Sequence, residues 1–126
     1  MYAATAERKK KENRRENMQD RKEKLISIAK YFGPVMQEFK MQEELGELGT
    51  AISKLQQKAL MAANGAYEED EIDMEHLVRA IITELADVEI LKEQLIELYG
   101  VRDEYEQEVN YKIERTLKRI ANKYYE

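Results

Sequence analysis

Cysteine is absent from the 126 residues, which excludes a disulfide scaffold, a thiolate metal site and cysteine nucleophilic catalysis, and fits a reducing compartment. Proline occurs once and glycine five times, so few positions interrupt a helix. No apolar run approaches the ~20 residues that a membrane helix requires, and the opening MYAATAERKKKENRR lacks the apolar core of a signal peptide. A soluble, cytoplasmic protein with no membrane partner is the expectation. Ala, Leu, Glu, Lys, Gln and Met fill the composition, and all are strong helix formers. The length suits one domain with a modest core. The expected fold class is therefore all-α.

The net charge of −5 is unevenly spread: residues 1–26 hold nine Lys or Arg against five Asp or Glu, and the remainder holds twelve against twenty-one. Residues 5–24 contain almost no aliphatic side chains, so even where helical they have little to bury. Residues 1–24 are thus expected to be a basic, flexible or partner-dependent arm, and residues 25–126 a helical domain. LISIAKYFGPVM, residues 25–36, is the first apolar-rich segment and contributes a shorter N-terminal helix. Gly33-Pro34 interrupts it, and Pro34 suits the first turn of a long helix running to about Ala62. NGAYEEDEID, residues 64–73, reads as a loop, with Asp73 capping a second long helix and Glu75 in its first turn. That helix continues through Leu98 to a stop at Tyr99-Gly100. After a short turn at Arg102 and Asp103, a last helix places Tyr105, Val109, Ile113, Leu117, Ile120 and Tyr124 at spacings of three and four. These elements suit an antiparallel helical bundle, completed by dimerisation.

The stretch MQEELGELGTAISK, residues 41–54, crowds Glu43, Glu44 and Glu47 into five positions. Residues three or four apart share a helix side, so Glu44 and Glu47 are neighbours on the shoulder of the apolar stripe Leu45, Leu48, Ile52 and Leu55. ITELADVEIL, residues 82–91, overlays on it with Glu84 on Glu44, Leu85 on Leu45, Asp87 on Glu47 and Val88 on Leu48. If the two helices are antiparallel neighbours, four carboxylates converge, which raises their pKa values and costs stability unless a cation compensates. Carboxylate-only ligation favours Mg²⁺ or Mn²⁺, and such a site could neutralise a polyphosphate and activate water. The plain alternative is a solvated acidic face, since acids occupy 26 of the 126 positions.

EELGE at 43–47 followed by ELAD at 84–87 resembles the all-alpha nucleoside triphosphate pyrophosphatases, the MazG-like and dimeric dUTPase-like superfamily, in its short single-domain phage or bacterial form. The likeness covers about residues 35–120. It implies Mg²⁺-dependent cleavage of a (d)NTP to the monophosphate and pyrophosphate. It also implies Glu44, Glu47, Glu84 and Asp87 as metal ligands, Glu43 as the first glutamate of the motif, able to join a second metal or orient water, and a homodimer or homotetramer; metal-activated water with Glu43, Glu44 or Glu47 assisting its deprotonation would suffice for the chemistry. The 36 residues between Glu47 and Glu84 exceed the interval of the compact motif. A triphosphate also needs cations. Lys54 lies on the side of Glu47, and Asn110, Lys112, Arg115 and Arg119 lie on the last helix where similar proteins place basic residues. Gln37 and Lys40 precede the glutamates and could meet base, ribose or phosphate. Each of these has an ordinary reading as a solvated side chain.

His76 reads as a surface or capping residue, and Phe32, Phe39 and Tyr67 as core or interface rings that could include a base-stacking partner. Gly46 and Gly49 cost up to about 1 kcal/mol each in a helix interior, a cost that close helix approach or substrate access could offset, and a crowded face is expected there. A different function class follows from ERKKKENRRENMQDRKEK, residues 7–24: a helical nucleic-acid-binding or structural assembly protein without enzymatic activity.

Overall fold

The computed structural model describes residues 2–65 and 74–125, with side chains from residue 3 to residue 123. It consists of four helices: α1 (Tyr2–Phe32), α2 (Pro34–Ala63), α3 (Met74–Tyr99) and α4 (Arg102–Tyr125). No strand occurs among the described residues, so the all-α expectation holds. No helix among them is long and apolar enough to cross a membrane.

The helix boundaries follow local chemistry. At Gly33, φ is 82° and ψ is 167°, a conformation that suits glycine. Its N–H still donates to the Ala29 carbonyl (2.9 Å), closing α1, while its own carbonyl accepts from Gln37 N–H (3.2 Å), opening α2 with Pro34 at the first position. The end of α3 is a Schellman cap: Gly100 has φ 66°, its N–H donates to Glu97, and Val101 N–H donates to Ile96. The expected turn at Arg102 and Asp103 is shorter than the sequence suggested, because α4 already begins at Arg102 with acidic Asp103 and Glu104 in its first turn. Asp73, the expected cap of α3, and Tyr67 lie outside the described residues.

The N-terminal segment differs from the expectation of a short helix behind an arm. α1 is one helix of 31 residues, and every residue from 3 to 24 on it is exposed. Helix formers without Gly or Pro let the backbone continue, although it has almost nothing apolar to bury until Leu25.

α2 and α3 form an antiparallel hairpin, because Gln37 meets Gln94 and, further along, Glu44 meets Glu84. α1 crosses onto this hairpin near Leu25 and Ala29. Gln94, 1 % exposed, ties the three helices together: its amide nitrogen donates to the Leu25 carbonyl (3.2 Å), and its oxygen accepts from the Gln37 side-chain amide (2.6 Å). Ala29, Leu91 and Ile96 are the fully buried apolar residues around it. α4 is held at its root by Arg102, which pairs with Glu93 and Glu97 of α3, and by Lys92, whose ammonium lies 5.5 Å from the Tyr105 ring centre. Beyond Val109 every described side chain of α4 is exposed.

The core of one chain is correspondingly thin. The chain exposes 10786 Å² at a mass of 14.9 kDa, where a compact monomer of that mass exposes about 7,000 Å². Leu45, Ile52, Ile82 and Leu85 on the hairpin and Ile113, Leu117 and Ile120 on α4 are 38–54 % exposed.

Because Gln94 and Gln37 satisfy each other in a dry environment, removing one partner should cost more than removing both. Gln94→Met is expected to lower the unfolding free energy by about 1–3 kcal/mol, and Gln37→Met/Gln94→Met to recover most of that loss. Denaturant titrations at one fixed protein concentration measure both; equal or additive losses would show that the amide pair contributes nothing specific.

Candidate metal centre

The antiparallel register of α2 and α3 determines which acids meet. Glu44 points inward from α2 and is 8 % exposed, while Glu84 on α3 is half-buried and Glu47, one turn after Glu44, reaches the same point from the solvent side. One carboxylate oxygen from each of Glu44, Glu47 and Glu84 lies within 4.8 Å of the other two. An Mg²⁺ octahedron with oxygens at 2.0–2.1 Å spans about 4.2 Å between opposite ligands, so small side-chain rotations bring the three into one coordination sphere.

Two oxygens are left without partners: Oε2 of Glu44 and Oε2 of Glu84 are buried and make no hydrogen bond. A buried acceptor without a donor is costly, and here two occur side by side on neighbouring helices. Burial above all, then proton sharing with Glu84 and Glu47, and then the charges of Glu47 and Asp87 push the Glu44 carboxyl up to about 7. A proton or a cation would relieve the crowding of these carboxylates. The donor set is all carboxylate and suits a hard divalent ion.

Asp87, the fourth expected ligand, does not join this group of three. It acts on Glu44 through its charge and lines an adjoining open cavity of about 480 Å³. Glu43 and Lys40 stand at the same cavity, with the Lys40 ammonium 3.7 Å from Glu43 and 4.0 Å from Glu44. Lys40 is thus the cation that the structure does place beside the carboxylates. Phe32, Met36, Phe39 and Ile90 supply apolar wall, and Gln37 and Gln94 lie deeper in it.

The remaining sequence candidates are elsewhere. Gln37 lines the cavity, but its amide is engaged with Gln94. Lys54 is exposed on α2 and does not line that cavity. Asn110, Lys112, Arg115 and Arg119 all lie on the exposed part of α4; Lys112 pairs with Glu108 (3.9 Å) and Arg115 stacks near Tyr111 (5.7 Å). Within one chain they are not brought to the carboxylates. The crowded face expected at Gly46 and Gly49 is also not found: a Cβ at either position would meet nothing within 4 Å. That face of α2 is open because α3 packs on the other side of the helix. His76 lies at the start of α3 beside Glu75 and Arg79, away from the acids.

Sequence reasoning missed Gln94 and Arg102. Gln94 follows Asp87 and Leu91 at helical spacing, and a polar residue on an apolar stripe was the signal available. Arg102 was read as part of a turn, whereas it closes the α3–α4 joint.

The raised Glu44 pKa has a definite consequence for stability. The folded state binds this proton more tightly than the unfolded chain, so the contribution is fully present below about 4.5 and is lost as pH rises towards about 7. Glu93 is held low by Arg102 and acts in the opposite sense, but it is common to wild type and a Glu44→Gln variant and cancels in their difference. Without divalent ions, wild type should therefore lose stability relative to Glu44→Gln between pH 4.5 and 7.5. Adding Mg²⁺ or Mn²⁺ at pH 7.5 should stabilise the wild type by about 2.7 kcal/mol at a hundredfold excess over Kd, raising its midpoint, and leave Glu44→Gln/Glu84→Gln unmoved. Thermal melts across this grid test it; equal pH slopes and no cation shift would remove the metal centre.

No protein-family model, curated protein or solved structure matches this chain, so the chemistry of the site rests on its own residues.

Proposed function

We propose that the protein is a divalent-metal-dependent nucleoside triphosphate pyrophosphohydrolase, converting a (d)NTP to the monophosphate and pyrophosphate. The observation that supports this most is the buried, unpartnered Glu44 carboxyl converging with Glu47 and Glu84 at the edge of a cavity. The resemblance of EELGE and ELAD to the MazG-like superfamily points the same way. Apolar walls beside an acidic cluster suit a ligand with a flat base at one end and phosphates at the other.

In this reading Glu44, Glu47 and Glu84 hold Mg²⁺ or Mn²⁺, with Asp87 completing the negative field. The ion, when bound, neutralises triphosphate charge and lowers the pKa of water. Water attacks the α-phosphorus, the bond from that phosphorus to the bridging oxygen breaks, and pyrophosphate leaves with the electron pair. Glu43, exposed at the cavity mouth, orients the water and accepts its proton; Lys40 holds a phosphate oxygen that the ion does not reach. Phe32 and Phe39 offer faces to the base.

A second copy of the chain completes the assembly. The exposed Leu45, Ile52, Ile82 and Leu85 flank the acidic cluster on the hairpin, and an apolar surface of that kind is ordinarily covered. In this reading the cations of α4, Lys112, Arg115 and Arg119 with Asn110, which one chain leaves on an exposed helix, would serve the site of the other copy.

Incubation of purified protein with canonical and modified NTPs and dNTPs and Mg²⁺ should yield monophosphate and pyrophosphate in equal amounts. Glu44→Gln/Asp87→Asn should lower the rate at least about a hundredfold, the scale of losing an electrostatic group from such a site. Orthophosphate with diphosphate as products would assign a different scissile bond, and no cleavage by folded protein would exclude the enzyme. Native mass spectrometry should give a dimer or tetramer; an active monomer would refute the assembly.

A further inference from the structure

The metal centre leaves the N-terminal half of α1 without a task. Between Arg8 and Arg15 six of eight residues are basic, and every side chain from 3 to 24 is exposed. At 100° per residue, Arg8, Lys10, Lys11, Arg14 and Arg15 fall within about 160° of the helix circumference. The same side, continued towards the body, carries Met18, Lys22 and Leu25, of which Lys22 pairs with Glu97 of α3 at 3.8 Å and Leu25 is the first residue of α1 to be partly buried. The stripe, which also carries Glu7 and Met18, leads to the cavity between α1, α3 and the root of α4, a space of about 650 Å³ whose lining includes Arg15, Arg21, Lys22 and Arg102 together with Glu89, Glu93 and Glu97.

The acids lining that cavity are already engaged. Glu93 and Glu97 pair with Arg102, Lys22 lies 3.8 Å from Glu97, and Glu89 pairs with Lys92 at 3.0 Å. Neither Arg15 nor Arg21 has an ion pair among the described residues. Along the outer stripe only Arg8 is paired, with Glu12 at 3.3 Å. The surplus is positive, and it is borne on a helix that leads away from the acidic body.

We propose that the face of α1 from Arg8 to Lys22 is a docking surface for duplex DNA, held through its phosphates and without sequence preference. Packing against a protein surface or inserting into a lipid interface requires an apolar stripe, which residues 3–24 lack; a phosphate backbone requires only cations. A bare helix 10–12 Å across also fits the major groove, which is about 12 Å wide. The stripe covers about 21 Å. This docking is independent of the metal centre.

The test uses the full chain and a fluorescent 30-base-pair duplex of arbitrary sequence. Neutralising five phosphates should make binding weaken about 500-fold between 50 and 200 mM salt. Lys11→Glu/Arg14→Glu/Arg15→Glu, with helicity checked by circular dichroism, should abolish binding at 50 mM salt, while Glu44→Gln should bind as wild type. No binding by wild type at 50 mM salt, or binding that survives the triple substitution, would overturn the proposal. So would a triple variant that changes only self-association, because the occupant of the stripe would then be the acidic surface of a second copy.

Discussion

Everything positioned in this molecule depends on one buried amide. Gln94 holds the Leu25 carbonyl of α1 and the Gln37 amide of α2 at once, at the crook where Gly33 turns the chain. Apolar contacts alone would fix the register of these helices weakly, since among the described residues only Ala29, Leu91 and Ile96 are buried apolar side chains. A hydrogen bond between two buried side chains tolerates no such slippage: a one-residue rotation of α3 leaves both amides unsatisfied. Two helical turns further along the hairpin, that same register brings Glu84 to Glu44.

The hairpin thus couples a cohesive end to a repulsive one. At Gln94 the buried polar groups are matched; at Glu44 and Glu84 each helix presents an oxygen with no donor. Random packing would relieve such a conflict by turning a glutamate outward, as flexible side chains do on most helices. Here Glu44 is kept inside by its place on the shoulder of the packed face, and its carboxyl responds by holding its proton up to about pH 7. A cation taken up in place of that proton would turn the conflict into a binding energy, and such binding would strengthen as pH rises.

The parts of this arrangement that follow from local chemistry were legible in the sequence. Pro34 as a helix start and Gly100 as a helix stop depend on backbone preferences of single residues, and the structure has them there. Glu44, Glu47 and Glu84 were legible because helical spacing and an antiparallel hairpin suffice to bring them together. Asp87 falls short of the group that those three form. Gln94 and Arg102 were not legible, since their partners lie on other helices at distances that no spacing rule reaches. The continuity of α1 is illegible for a different reason: residues 3–24 have almost nothing apolar to bury, yet no Gly or Pro interrupts the helix between Tyr2 and Phe32.

The placement of exposed apolar side chains completes the logic. Leu45 and Leu85 are the residues next to Glu44 and Glu84, and both are about half exposed. Covering them with a second copy would exclude water from one side of the carboxylates, lowering the local dielectric and raising the cost of leaving the acids uncompensated. Association and cation binding would then reinforce each other by linkage: whatever stabilises the paired hairpins tightens the metal site, and the metal in turn relieves the repulsion that opposes pairing. The thin core of the single chain and the unsatisfied acids at its centre are on this view two faces of one incompleteness.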